Sequence, residues 1–367
     1  MHLRVDNVKK EGVSTFKVAA VYIGTIVGAG FATGQEVLQF FNRFGVWGLG
    51  GLVITTILFI VFGYIIMDLG SALQARSHLE VIRYSGGNIL GTFTDIVITI
   101  FLFGSLTAMT AGTGALFEQQ LKLSPLLGSF FMAAVTVLTV LTGINGVINS
   151  ISFVVPFLLT AVLGISAYSV INHPLNLQVV PIIQGRSGII NHWLAAAVLY
   201  VSYNTVVSVA ILGPLGVNAR NRKAIWNGAL LGGLGLGAGA VLIYLALASH
   251  STQVENLEVP MIYIAGEIAP IVQILYAIVL IAEIYTTAVG ALFGFASRVI
   301  GTKKKPRTEK ILVVCTAAAA LLASRLGFSN LVRYLYPLVG YCGVALLGAL
   351  VITTLKEKKS VSCNYKR

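Results

Sequence analysis

Ten apolar runs divide this chain: 17–41, 46–70, 90–116, 125–143, 149–171, 191–214, 224–249, 266–298, 311–327 and 331–354. Each is near the ~20 residues that a helix needs to cross a bilayer. In hydrocarbon, backbone N–H and C=O groups must be satisfied internally, so runs of this length are expected to fold as helices. Composition agrees. Only 10% of residues are charged and the mean hydropathy is +0.88, against about 25% charged in a soluble domain. The expected fold class is an all-α integral membrane protein with one transmembrane domain over 1–367. The N-terminus, MHLRVDNVKKEG, lacks a small-residue cleavage pattern, so the first run is expected to remain in the mature chain.

The net charge of +12 sits in the loops and does not call for nucleic acid. With the N-terminus inside, most of the 25 Lys and Arg fall on one side. They include Arg4, Lys9, Lys10, Lys17, Arg76, Arg83, Arg220, Arg222, Lys223, Arg298, Lys303, Lys304, Lys305, Arg307 and Lys310, with a basic tail over 355–367. Arg43, Lys122, Arg186, Arg325 and Arg333 fall on the other. That bias predicts ten spans with both termini cytoplasmic. The loop at 250–260 has two acids and no Lys or Arg, which suits the outside. The three cysteines give no disulfide framework, and no metal or thiol chemistry is expected.

Inside the first run, YIGTIVGAGFATGQE places Gly24, Gly28, Gly30 and Gly34 close together. Glycine weakens a helix and exposes its backbone. Unpaired backbone at membrane depth is tolerated only where protein buries it or where it lines a cavity. A broken helix with a site at the break is therefore expected. Close helix packing is the competing reading, since Gly24 and Gly28 form GxxxG. A dinucleotide loop is excluded, because apolar helix flanks the glycines and 50–60 holds no acid.

An odd number of spans per half inverts the second half, so 191–354 is expected to repeat 17–171 upside down. The sixth run then matches the first. Its centre holds Tyr203, Asn204 and Thr205, which either line a cavity or bond between helices. It has no glycine until Gly213, so a second break there is a weaker expectation. The glycine-dense seventh run and the stripe Gly104, Ala108, Gly112 read as packing faces.

Most of the thirteen acids lie in loops or at span ends. Asp68, Asp95 and Glu36 are expected to be solvated there, although Glu36 has Arg325 and Arg333 as candidate partners. Glu283 has at least eleven uncharged residues on each side, and an ionisable group at such depth is expensive and usually functional. Thr286 and Thr287 follow at i+3 and i+4 and share its face. This all-oxygen group suits a small hard cation. Two alternatives are a proton carrier and a structural acid bonded to a neighbouring helix.

The glycine-broken GTIVGAG and the Thr286–Thr287 pair resemble the LeuT-fold transporters of the amino acid–polyamine–organocation type. GAGFATGQE and the chain length resemble the small bacterial YkvI-type membrane proteins. The first resemblance implies a 5+5 inverted repeat of ten helices. It places Gly24 and Val27 where that fold's first helix gives carbonyls to sodium, and Thr286 and Thr287 where its eighth gives hydroxyls. This sequence departs from the pattern at Glu283, where the fold often has a small residue, and in the sixth helix, which lacks the usual glycines. Some proton-coupled relatives carry a lysine on the fifth helix. None is present here, which favours sodium.

The expectation is a cation-coupled secondary transporter of a small amino-acid-like solute, in the bacterial cytoplasmic membrane. Thr25, Gly28, Ala29 and Gly30 at the break would offer N–H groups and a positive half-helix end to a carboxylate. Tyr203, Asn204 and Thr205 would read other polar groups. Gly24, Val27, Thr286, Thr287 and Glu283 would hold the cation. No cofactor is required, and no obligate protein partner is evident. The alternative is a non-transporting receptor subunit of the same fold, as the resemblance to spore-germinant receptor subunits implies. An enzyme is not expected. There is no HExxH and no GxSxG on a plausible site helix, and His78, His173, His192 and His250 lie at span ends or in loops.

Overall fold

The computed structural model describes residues 12–75, 77–142, 154–173, 175, 189–300 and 306–364. Arg4, Lys9, Lys10, Arg76, Arg186, Lys303, Lys304, Lys305, Lys366 and Arg367, used above to orient the chain, lie outside these residues. So do 149–153, where the fifth predicted run begins.

The described chain is helical, with one isolated bridge between Val13 and Ala219. The first predicted run is in three pieces, α1 (Thr15–Ile26), α2 (Ala29–Ala32) and α3 (Gln35–Phe40). There follow α4 (Val46–Leu73), α5 (His78–Leu121), α6 (Pro125–Leu141), α7 (Val154–Asn172), α8 (Trp193–Asn218) and α9 (Arg222–Ser249). After the short α10 (Ser251–Val254) come α11 (Pro260–Ile268), α12 (Pro270–Ile300), α13 (Pro306–Ala323) and α14 (Phe328–Asn364). Six of them, α4, α5, α8, α9, α12 and α14, are long and apolar enough to cross a membrane.

Several bounds differ from the sequence reading, and each difference has a local cause. Extended Ala269 separates α11 from α12, so the eighth run starts later than 266. α5 begins well before residue 90 and bends at Gly87, where φ is 75°. α14 continues past 354 into the basic tail.

α4 is apolar on both faces. Leu52, Phe59 and Ile66 are buried, while Val53, Ile57 and Val61 are exposed. An outward face of that kind needs hydrocarbon around it. Inward faces meet through small residues. A Cβ on Gly228 or Gly232 of α9 would strike Val18 or Tyr22 of α1, and one on Gly233 would strike Ile60 of α4. The glycine-dense seventh run is therefore a packing face. Sparse hydrogen bonds tie the helices together: Tyr22 Oη donates to the Phe59 carbonyl at 2.7 Å, and Asn42 Nδ2 to that of Tyr244 at 2.9 Å.

The two ends of the bundle differ. At one, between the entry to α1 and the α8–α9 turn, Val13 N donates to the Asn218 carbonyl at 2.8 Å and Arg220 N donates to the Val13 carbonyl at 3.0 Å. Asp68 and Asp95 are paired there and not simply solvated. Arg222 donates to both Asp68 oxygens at 2.8 and 2.7 Å, and Asp95 is held between His78, at 3.1 Å, and Arg298. At the other end, Glu258 accepts from the Ser329 backbone N and Oγ at 2.6 and 2.9 Å.

Gly232→Val forces a branched side chain into Tyr22 and is expected to cost about 1–3 kcal/mol, the usual cost of overpacking. Gly348→Val, where a Cβ meets nothing within 4 Å, should be neutral to within a few tenths. Thermal unfolding of the purified variants in detergent measures the difference. Equal midpoints would show that the α1–α9 contact is not close-packed.

Candidate functional site

The site is built on the interrupted first run. α1 stops at Ile26, and Val27 and Gly28 are extended, with φ/ψ of −72°/111° and −128°/−172°. Among the described residues no backbone N–H reaches the carbonyls of Gly24, Thr25, Ile26 or Val27. A helix end leaves such carbonyls to find partners elsewhere. After the single turn of α2, Gly34 adopts φ +82°, a left-handed conformation that glycine takes without steric cost. The turn is held from outside by Met261 N on the Thr33 carbonyl at 3.1 Å and by Tyr276 Oη on that of Ala32 at 2.5 Å.

That turn decides where Glu36 goes. The sequence reading left it solvated or paired with Arg325 or Arg333. Instead it is 4% exposed, and its carboxylate occupies the space that a Cβ on Gly30 would need. Tyr200 and Tyr203 both donate to Oε2, at 3.1 and 2.5 Å. They stand three apart on α8 and so share a face. Arg333 binds Gln39 Oε1 at 3.2 Å, and Gln39 in turn donates to Gln35. Phe40 and Phe41 pack on Tyr200 with ring centroids 5.2 and 5.1 Å away.

Against the break lies a cavity of about 310 Å³. Gly24, Thr25, Val27, Gly28, Ala29 and Gly30 line it from the first run, Tyr203 and Asn204 from α8, and Glu283, Thr286 and Thr287 from α12. All the candidates named from sequence meet there except Thr205. That residue is buried outside the lining, because the lining face of α8 runs through Tyr203, Asn204, Val207 and Ile211 and a helix turns 205 away from it. α8 is unbroken through 200–205, unlike the first run.

Glu283 is 3% exposed, and its Oε2 has no hydrogen-bond partner among the described residues. Thr286 Oγ1 donates to the Glu283 backbone carbonyl at 3.0 Å. A buried, unsatisfied polar atom is costly. Around it the cavity offers a carboxylate, hydroxyls and bare carbonyls, all of them oxygen donors. Among the described residues no group of three or more His, Cys, Asp or Glu could hold a metal ion.

Sequence reasoning missed Glu36 and the contributions of α5 and α14. Phe101, Ser105 and Met109 line the cavity from α5 and Tyr336 from α14. The Tyr336 ring lies 5.2 Å from Tyr203 and 5.4 Å from Phe101. Only Glu36 carried a local signal, its nearness to Gly30 and Gly34.

No protein-family model matches the chain. Its backbone superposes on solved transporters. An inward-facing Mhp1 matches with TM-score 0.56 and 18% identity over 85% of this chain and 70% of that one. A Na+-coupled sialic acid symporter, substrate-bound and outward-open, gives 0.60 and 12% over 93% and 79%. MhsT in complex with L-phenylalanine gives 0.56 and 15% over 95% and 99%. This is the LeuT fold. By sequence the chain is similar to the membrane protein YkvI of Bacillus subtilis (strain 168), 29% identical over 95% of this chain and 98% of that protein. It is also similar to YyaD of the same strain, 27% identical over 92% and 96%. The three solved structures are of transporters, not of enzymes.

Gly30→Ala drives a methyl into the Glu36 carboxylate and is expected to lower stability by about 1–3 kcal/mol. Gly28→Ala, with nothing within 4 Å of its Cβ, should cost well under that. Thermal unfolding of the two proteins compares them, and a neutral Gly30→Ala would mean that Glu36 does not sit over the break.

Proposed function

We propose that this protein is a cation-coupled secondary transporter of a small amino-acid-like solute, with sodium as the coupling ion. The observation that carries the reading is the unpartnered Glu283 oxygen, buried beside Thr286 and Thr287 in a cavity that the bare carbonyls of Gly24 and Val27 also line. An all-oxygen set with one carboxylate matches the preference of a hard cation. A bound cation would give that oxygen the partner it lacks. The Na+-coupled symporter among the structural neighbours supports the same ion. Solute would enter the cavity against Thr25, Gly28, Ala29, Gly30, Tyr203 and Asn204, with Thr205 supporting α8 from behind.

The proposed topology is ten spans in a 5+5 inverted repeat, with α1–α3 as the first, α8 as the sixth and α12 as the eighth. Both termini would face the cytoplasm of a bacterial cell, and the loop at 250–260 would face outward. Single cysteines at Gln253 and Lys304, in an otherwise cysteine-free chain, test this with a membrane-impermeant thiol reagent on whole cells. Position 253 should label and position 304 should not. Labelling at 304 would sink the topology.

Coupling is tested in liposomes, with a sodium gradient or a pH gradient imposed separately and a solute found by ligand stabilisation of the purified protein. Thr286→Val and Thr287→Val each replace a donor oxygen by a methyl and should weaken sodium dependence roughly tenfold, about 1.4 kcal/mol. Glu283→Gln should lower sodium affinity while leaving exchange intact. If accumulation in the wild type follows only the pH gradient and Glu283→Gln abolishes it, Glu283 carries a proton and sodium is the wrong ion. Binding without accumulation under either gradient would identify a receptor instead.

A further inference from the structure

We propose that Glu36 is the group that recognises the protonated amine of the transported solute. This rests on the transporter reading, whose amino-acid-like solute carries such an amine, and assigns the residue that selects for it.

The cavity is rich in acceptors and poor in counter-charge. Among the described residues that line it, Glu36 and Glu283 are the acids, and none is Lys, Arg or His. A carboxylate taken out of water is expensive unless a cation is near. One monovalent ion at the Glu283 cluster offsets one of the two. Glu36 is left with two neutral donors, Tyr200 and Tyr203, both on Oε2. They fix its orientation and fill lone pairs but bring no positive charge.

Oε1 lies over Gly30, at the break whose carbonyls at Gly24 to Val27 receive no backbone N–H. A primary ammonium offers three donors and no acceptor, the complement of that surface. Part of the remaining wall is aromatic. Phe101, Tyr203 and Tyr336 all line the cavity, with centroids 5.2 to 6.2 Å apart, and such faces favour a cation. A solute with only an anionic head would add a third negative charge. It would gain little from α2, which is four residues long and sums few peptide dipoles.

The test uses full-length purified protein in sodium chloride at neutral pH. The probes are three matched series at millimolar concentration: linear primary alkylamines together with the common amino acids, the corresponding alkyl carboxylates, and the corresponding alcohols. Thermal stabilisation is the readout. Amine-bearing members should stabilise the wild type, and carboxylates and alcohols should not. Glu36→Gln keeps the shape but should weaken amine binding roughly tenfold or more, the loss of one charge-assisted contact. Glu118→Gln, outside the cavity, should not change it. If Glu36→Gln does not fold, Tyr203→Phe takes its place, since it removes one donor that orients the carboxylate and should weaken the same amines several-fold. Stabilisation by carboxylates or alcohols equal to that by amines, no stabilisation by any amine, or undiminished amine binding in these variants overturns the proposal. Liposome uptake separates it from the parent reading. Sodium-driven accumulation of an amine-free solute keeps the transporter and removes the amine. Glu36-dependent amine binding without accumulation does the reverse.

Discussion

A backbone buried in hydrocarbon must satisfy its own N–H and C=O groups, and this chain breaks that ladder at Val27–Gly28. The rest of the described structure is arranged around the break. Tyr276 and the Met261 amide, from α12 and the start of α11, take up the carbonyls of the turn at Ala32 and Thr33. α9 presents glycines so that Val18 and Tyr22 of α1 can approach. The carbonyls that remain bare face a cavity. That is the one setting in which a solute or an ion, and not the protein, can complete the hydrogen bonding.

The two buried carboxylates differ in how far the protein satisfies them. Glu36 has a fixed pair of phenolic donors on one oxygen and a glycine beneath the other. Glu283 keeps one oxygen with no partner among the described residues. Neutral donors organise a charge without cancelling it, and an unpaired oxygen does not even receive that. Together they leave a cavity with two buried acids and no basic side chain among its described lining residues. At the bundle's end, by contrast, Asp68 and Asp95 meet arginines directly.

Much of this was legible in the residues. Ten apolar runs announce a helical membrane protein because bilayer thickness sets segment length. The clustered glycines announce an interrupted helix because glycine gives up helix stability and exposes backbone. Glu283 stands out because an acid flanked by apolar sequence has no cheap solvent. These signals are local, carried by composition and spacing within one segment.

The remainder was decided by tertiary structure. Glu36 reads as an end-of-helix acid until the left-handed turn at Gly34 sets α3 off from α2, with the carboxylate over Gly30. Thr205 reads like its neighbours until the rotation of α8 is known. Phe101, Ser105 and Tyr336 sit in ordinary apolar helices, and only the packing of α5 and α14 against α8 and α12 brings them to the cavity. Sequence by itself determined that the described apolar runs are helical, that the first of them breaks, and that an acid lies deep within the bundle. Tertiary packing alone decided which side chains face the break, because a helix presents every side chain at 100° intervals and its neighbours, not its own residues, choose the face that turns inward.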